Sequence, residues 1–427
     1  MIDIKFVFTE TSLFPQCHGS TLAKLPTGEI LVAWFAGTRE SNPDTAIWGS
    51  TLSSDGEAWE TPVKLFKIND EAHWNPVLME HKGRVHIWFK TGAHPFSWQT
   101  WHSFTDDSGV EWSTPVLLKD QDGEGGHCRG PVRNKPIALS DGTWIAPSSH
   151  EEKVYEIRPK APFQLVPYLC KPRDKNSYLS GRDMWNSFAD LSCDDGETWA
   201  RSEYIGHPED QEGGGIIQPA AWESSPGNVH MMLRSTWGKI YRTDSSDGGK
   251  TWCRAYDTGM PNNNSGIEVC KLGDGILALV YNPVSGNWAT RNKLSVAFSI
   301  DNGVTWVGSY TLESSLRGSY SYPSAIATEN GIAITYTWSR VSICCVMLDV
   351  DKKKILSGED LQFCTTTNFE KDINEDDSTK IAFRLAQKMN IQKISKRERV
   401  EKVILDNKNY EEDVVDWEAF GQWKADM

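Results

Sequence analysis

The 427-residue sequence contains no run of 18 apolar residues, about the length a helix needs to cross a bilayer, so no membrane-spanning helix is expected. It has no basic excess: 44 Lys and Arg stand against 58 Asp and Glu, a net charge of −14. That balance excludes partners held by a broad cationic face, such as nucleic acid or an anionic membrane. The opening stretch, MIDIKFVFTETS, lacks the apolar core of a signal peptide, and a cytoplasmic location is expected. The nine cysteines are odd in number and irregular in spacing, which favours free, buried thiols over a disulfide framework. No Walker-type phosphate loop, serine-hydrolase elbow or His-Glu-x-x-His helix occurs. His127-Cys128 and Cys17-His18 are adjacent pairs without spaced ligand partners, so neither a metal nor another cofactor is expected.

What the chain does have is aromatics and turn formers: 19 Trp, 12 Tyr and 15 Phe beside 34 Gly and 20 Pro. That mixture suits many short strands joined by tight turns. An octapeptide, Ser/Thr-x-Asp-x-Gly-x-x-Trp, recurs with its aspartates at 107, 194, 247 and 301, and a copy one residue shorter holds Asp55 and Trp59. The residue types have a mechanical reading. Asp accepts hydrogen bonds from the turn backbone, Gly takes a conformation other residues avoid, and Trp pins the turn to a sheet. The boxes are therefore expected to build hairpins and to do no chemistry. Successive aspartates lie 52, 87, 53 and 54 residues apart. The unit is roughly fifty residues, and one unit carries an insertion of about thirty-five within 151–188, expected to be a long surface loop.

A second repeat, strand–Gly turn–strand, occurs six times, from HGSTLAKLPTGEILVAWF to YPSAIATENGIAITYTW. The apolar residues after each Gly alternate with strand period. Six such units predict an all-β fold, a six-bladed β-propeller over 1–350, with the N-terminal IDIKFVF closing the last blade. Residues 351–427 are charged and lack the repeat. Ile381, Leu385 and Met389 are spaced by four, so this C-terminal extension is expected to be partly helical or disordered.

The boxes and strand pairs, with the stretches CHGSTLAKLPTGEILVAWFAGTRE, WNPVL, RNKPIALSDG, NNNSGIE and YSYPSAI, resemble the sialidase superfamily. More closely, they resemble the bacterial Asp-box proteins known as predicted neuraminidases. The resemblance spans about 10–350 and implies an exo-acting glycoside hydrolase on an acidic, sialic-acid-like sugar. Overlaying the repeats puts His18, Asn75, Lys135, Gln218, Ser265 and Tyr322 at the starts of the first strands. It puts Phe35, Lys90, Ser149, Arg234, Asn282 and Trp338 at the ends of the second. Polar residues at one repeat position in most blades are expected to line a common pocket, with Lys90, Lys135, Asn75 and Asn282 among its substrate contacts.

Sialidase chemistry uses arginines that clamp the sugar carboxylate bidentately, a tyrosine nucleophile paired with a glutamate, and an acid for the leaving oxygen. The resemblance implies Arg234 and Arg291 as two clamp arginines, Tyr322 as nucleophile with Tyr320 as the alternative, and Glu40 or Asp44 as the acid. Two positions depart from the pattern. His18 stands where the first arginine is expected, and Gln218 where the glutamate is expected. These departures fit a second reading, elimination or hydrolysis at a uronic acid with His18 and Tyr322 sharing the proton transfers. A third reading is a non-catalytic sugar-binding propeller that stacks sugars on Trp74, Trp98, Trp185 and Trp338.

Overall fold

The computed structural model describes residues 2–9, 13–106, 109–120, 129–159, 177–211, 213–315 and 318–357. Met1–Glu151 and Trp185–Thr367 form one compact unit; Glu152–Met184 and Asn368–Met427 form a second. The strands fall into sets of four, consistent with the expected six blades. Blade one comprises Gln16–Lys24, Ile30–Gly37, Ala46–Leu52 and Val63–Phe66; blade two, His73–His81, Arg84–Thr91, Gln99–Thr105 and Val116–Leu117. Blade three holds Ile137–Ala138, Trp144–Pro159, Ser177–Ser192 and Thr198–Arg201, with Lys119–Asp120 added in parallel. Blade four holds Gly214–Ser225, Asn228–Ser235, Lys239–Ser245 and Tyr256–Pro261, and pairs with blade three to make one nine-stranded sheet. Blade five holds Glu268–Gly273, Ile276–Tyr281, Lys293–Ser299 and Val307–Ser314. Blade six holds Tyr320–Ala327, Gly331–Trp338 and Ser342–Asp349, and Ile2–Phe6 adds its outer strand antiparallel to the last of these. The N-terminal strand thus completes the last blade, as expected.

The innermost strand of blade one packs against those of blades two and six, and that of blade five against those of four and six. Blade three joins through the residues before its first strand. Lys135 donates to Thr21 Oγ1 and to the carbonyls of Leu22 and Leu78, and Asn134 Nδ2 donates to Ile267 O at 2.6 Å. The insertion is not simply a loop: strands occupy 151–159 and 177–188 of it. Beyond Asp349, Lys352–Leu356 is a short helix capped by Asp351; the helical spacing at Ile381, Leu385 and Met389 lies outside the described residues. Cys17, Cys270, Cys344 and Cys345 are buried thiols, whereas Cys193 and Cys253 are exposed.

The boxes are the hairpins expected of them. Asp194 accepts from Ser192 Oγ at 2.6 Å and from Thr198 N at 2.9 Å. Asp247 and Asp301 repeat the pattern with Ser245 and Thr251, and with Ser299 and Thr305. Asp55 accepts from Ser53 Oγ and Glu57 N, while Asp107 lies outside the described residues.

A second feature recurs at the opposite end of the first strands. In blades one, two, four and six the pairing slips by one residue, so that two residues oppose one. The first residue of each bulge has a left-handed φ: Gly19 at 66°, Asn75 at 36°, Gln218 at 51° and Tyr322 at 55°. Such bulges re-aim side chains, and they are strained for any residue but glycine. At Gly19 space is tight as well, since a Cβ would meet Phe35 at 3.0 Å and the Asn75 carboxamide oxygen at 3.2 Å. The shared bulge corrects the repeat overlay. Gly19, not His18, is equivalent to Asn75, Gln218 and Tyr322; His18 precedes the bulge and pairs with Phe35. On the second strand of blade six, Thr337 rather than Trp338 matches Arg234, because Thr337 pairs with the residue before the bulge.

Candidate functional site

The blade-six bulge turns the Tyr322 ring into a nest of cations. Arg133, Arg291 and Arg234 carry their guanidinium carbons 5.2, 5.5 and 5.7 Å from its centroid. Arg234 is buried in blade four. Its Nη1 donates to Tyr322 Oη at 2.9 Å and to Gln218 Oε1 at 2.8 Å, its Nε donates to Asn264 Oδ1 at 3.0 Å, and its plane lies 5.6 Å from the Trp185 ring. Burial pushes the Tyr322 phenol up, but Arg234 and Arg291 outweigh it and leave the group below its ordinary value. Burial lowers Arg291 to about 10.

His18 also abuts the phenol, with ring centroids 4.2 Å apart. Its Nδ1 meets Thr337 Oγ1 at 2.9 Å, and its buried Nε2 has no hydrogen-bond partner. Burial, then the charges of Arg340, Arg291, Arg133 and Arg234, hold the imidazole well below its ordinary value, so it is neutral at physiological pH. Arg340 pairs with Glu40 at 2.5 Å, and the Glu40 charge acts on both Tyr322 and Arg291.

Beneath the phenol lies a buried layer. Arg133 donates one Nη2 bond to Pro323 O at 2.7 Å and leaves Nε and Nη1 unpartnered. Burial lowers Arg133 to about 10 against the opposing pull of Glu268 and Tyr322. Burial raises Glu268, and Lys135 and Arg133 counter it; Lys135 is lowered by burial to about 8.

The structure therefore brings together His18, Glu40, Gln218, Arg234, Arg291 and Tyr322. It sorts the pairs that the sequence left open. Tyr320 packs into the blade-six core against Tyr336 and Trp338, whereas Tyr322 meets the arginines. Asp44 caps its own loop, accepting from Thr38 N and Oγ1 at 2.7 and 2.5 Å, whereas Glu40 reaches Arg340. The remaining candidates are spent on scaffolding. Lys90 donates to Thr100 Oγ1 and to Arg129 O; Lys135 holds the first and second blades; Asn282 Nδ2 bridges Lys293 O and Tyr320 O. Asn75 is buried beside Gly19. Three of the four expected stacking platforms, Trp74, Trp98 and Trp185, are at most 6% exposed, and Trp338 packs on Phe6. These indoles are packing groups rather than open faces. The sequence reading missed Arg133, Arg340, Asn264 and Thr337. Arg133 was within reach: it stands two residues before Lys135 in RNKPI, a stretch already singled out, but the overlay selected the wrong cation.

A BNR repeat-like domain model matches residues 28–334. No curated protein sequence matches the chain. Among solved structures, a protein of unknown function from Dyadobacter fermentans is 16% identical, with TM-score 0.58 over 78% of this chain and 95% of that one. A Hadza microbial sialidase is 15% identical, with TM-score 0.60 over 80% and 67%. A mutant of the NanB sialidase from Streptococcus pneumoniae is 14% identical, with TM-score 0.58 over 79% and 69%. At these identities the likeness carries the fold alone. Together with the box hairpins and the strand sets, the matched residues show that the chain belongs to the BNR repeat-like family and has a sialidase-like propeller fold.

Proposed function

We propose that the chain is a carbohydrate-active enzyme that binds an acidic saccharide by its carboxylate and acts on it through Tyr322, as an exo-acting, sialidase-like glycoside hydrolase. The observation that carries this reading is the phenol itself, hydrogen-bonded to Arg234 and surrounded by Arg133, Arg234 and Arg291. Cations around a phenol stabilise its anion, so Tyr322 is primed to attack or to take a proton. The same cations suit a bound carboxylate, each charge-assisted bond contributing about 1.5–3 kcal/mol. Arg133, with two guanidinium nitrogens unpartnered, supplies the third cation that His18 does not. Glu40, in the loop after the second strand of blade one, is the proton donor of this reading.

A second reading is supported by two observations. Gln218 cannot accept the phenol proton as a carboxylate would, and its oxygen is already held by Arg234. A neutral His18 ring with a free Nε2 abuts Tyr322. In this chemistry the Tyr322 phenolate removes the proton beside a uronate carboxylate neutralised by the arginines, and the glycosidic oxygen leaves. Products separate the two. Incubation with sialosides and uronate oligosaccharides releases a saturated acidic sugar under hydrolysis and an unsaturated uronate absorbing in the near ultraviolet under elimination. Binding without either product refutes the enzyme reading and leaves a binding module.

A further inference from the structure

Far from Tyr322, blade four carries a second chemical constellation. Ser224 stands at the other end of the strand that holds Gln218, six residues away, or about 20 Å at strand rise. It sits at a break in the pairing register between Glu223 and Ser225, which turns it out of the sheet, and it is exposed. The neighbouring Glu223 fixes the hairpin by accepting from Ser140 N, Ser140 Oγ and Gly227 N at 2.9–3.0 Å.

Ser224 Oγ lies 2.8 Å from His230 Nε2; its alternative partner, Asn228 O, is at 3.5 Å. The other ring nitrogen, Nδ1, contacts the Asp244 carboxylate. Asp244 also accepts from Arg242 Nε at 2.9 Å and from Tyr256 Oη at 2.6 Å. Burial pushes Asp244 up, but His230, Tyr256 and Arg242 hold it down to about 2, so it is ionised across the working range. Arg242 Nη2 lies 3.1 Å from the same Nδ1; Nδ1–H donates to the closer Asp244 carboxylate, and Nε2 is left to accept. The imidazole stacks on Trp222 with ring centroids 5.2 Å apart and planes 30° from parallel. Asn302 brings its amide nitrogen to within 3.0 Å of that Nε2, and its orientation is set because Trp222 Nε1 donates to its oxygen at 2.7 Å.

We propose that Ser224, His230 and Asp244 form a second hydrolytic centre that cleaves short-chain acyl esters. The roles follow from geometry: a nucleophile on a base, and the base on an orienting carboxylate. Ser224 Oγ forms a bond to the ester carbonyl carbon as its proton passes to His230 Nε2. The alkoxide departs with that proton, leaving an acyl-serine. Water then attacks the acyl carbon, giving its proton to His230; the C–Oγ bond breaks, His230 returns the proton to Ser224 Oγ, and the carboxylic acid leaves. An exposed serine favours small acyl groups, such as acetyl esters on a saccharide.

The full chain is tested with 4-nitrophenyl acetate and with a fluorophosphonate, the labelled peptide being identified by mass spectrometry. The expected result is turnover proportional to protein and a label on Ser224. Ser224→Ala should lose the label and at least about tenfold of the rate, at unchanged melting temperature because the residue is exposed. His230→Gln should lower turnover while Ser224 stays in place. Absence of turnover and label in the wild type, or equal rates in Ser224→Ala, overturns the proposal and leaves these residues as a tie between blades four and five. Such a tie would move the melting temperature without ever producing an acyl-serine.

Discussion

The propeller repeats two devices, one at each end of its blades, and uses them differently. At the box hairpins both backbone and side chains repeat: Ser192 and Asp194, Ser245 and Asp247, Ser299 and Asp301 make the same bonds to their turns. At the bulges only the backbone repeats. Gly19, Asn75, Gln218 and Tyr322 share a left-handed φ and a slipped register but no side-chain chemistry. Identical side chains serve one mechanical task many times over, whereas a constant backbone with varied side chains gathers unlike groups around one point. Fold stability is therefore expected to reside in the boxes and chemistry at the bulges.

The sharpest break of that comparison is at Tyr322. Tyr322→Phe should lower turnover of the acidic saccharide by at least about a hundredfold, the usual scale for removing a proton-transfer group, with dissociation constant and melting temperature nearly unchanged. Rate measurements beside calorimetric titration decide it; full activity would remove the tyrosine from the chemistry. Next in size is Arg234→Lys. It keeps the charge but loses the fork to Tyr322, Gln218 and Asn264, and should weaken binding of an acidic sugar by about 1.5–3 kcal/mol, roughly 10- to 150-fold in Kd. A neutral sugar titrated in parallel should show no such loss.

The boxes supply the reverse test. Asp194→Ala strands the donors of Ser192 and Thr198 and should lower stability by about 1–3 kcal/mol, with kcat of the folded protein unchanged. A loss of turnover at constant melting temperature would contradict the division of labour. Between the two ends, the blade body should set acid stability. His86 and His102 stack at 3.0 Å between nitrogens, and burial lowers them to about 3 and about 4; burial also lowers His73 to about 4. Their folded values lie below the unfolded value near 6.5, so the unfolded chain binds more protons as pH falls. The stability these histidines contribute should be full above about pH 6.5 and decline toward pH 4–3, each contributing up to about 1.4 kcal/mol per pH unit. Denaturant midpoints at pH 7, 5 and 4 measure this, and His86→Gln with His102→Gln should flatten the decline.

Much of the fold could be read from the chain, because boxes and strand pairs are local patterns. Ser245, Asp247, Gly249 and Trp252 carry their turn in eight residues, and nothing distant is needed to recognise it. The site was legible in part. Gln218 and Tyr322 share one repeat position and Arg234 occupies the facing one, and overlaying the repeats brought them together. The overlay failed wherever register mattered. His18 and Trp338 were each displaced by one residue, because a bulge adds a residue without changing the alternation on either side of it. Lys135 was chosen over Arg133 because a first-strand position says nothing about which neighbouring side chain crosses the ring. Sequence alone determined the number of units, the box turns and the cationic character of the far end. Only the tertiary structure decided that Tyr322 and not Tyr320 turns to the arginines, that Glu40 pairs with Arg340 while Asp44 caps a loop, and that Ser224 meets His230 and Asp244. Those outcomes depend on backbone conformation at single residues and on contacts across blades, and neither leaves a periodic trace in the chain.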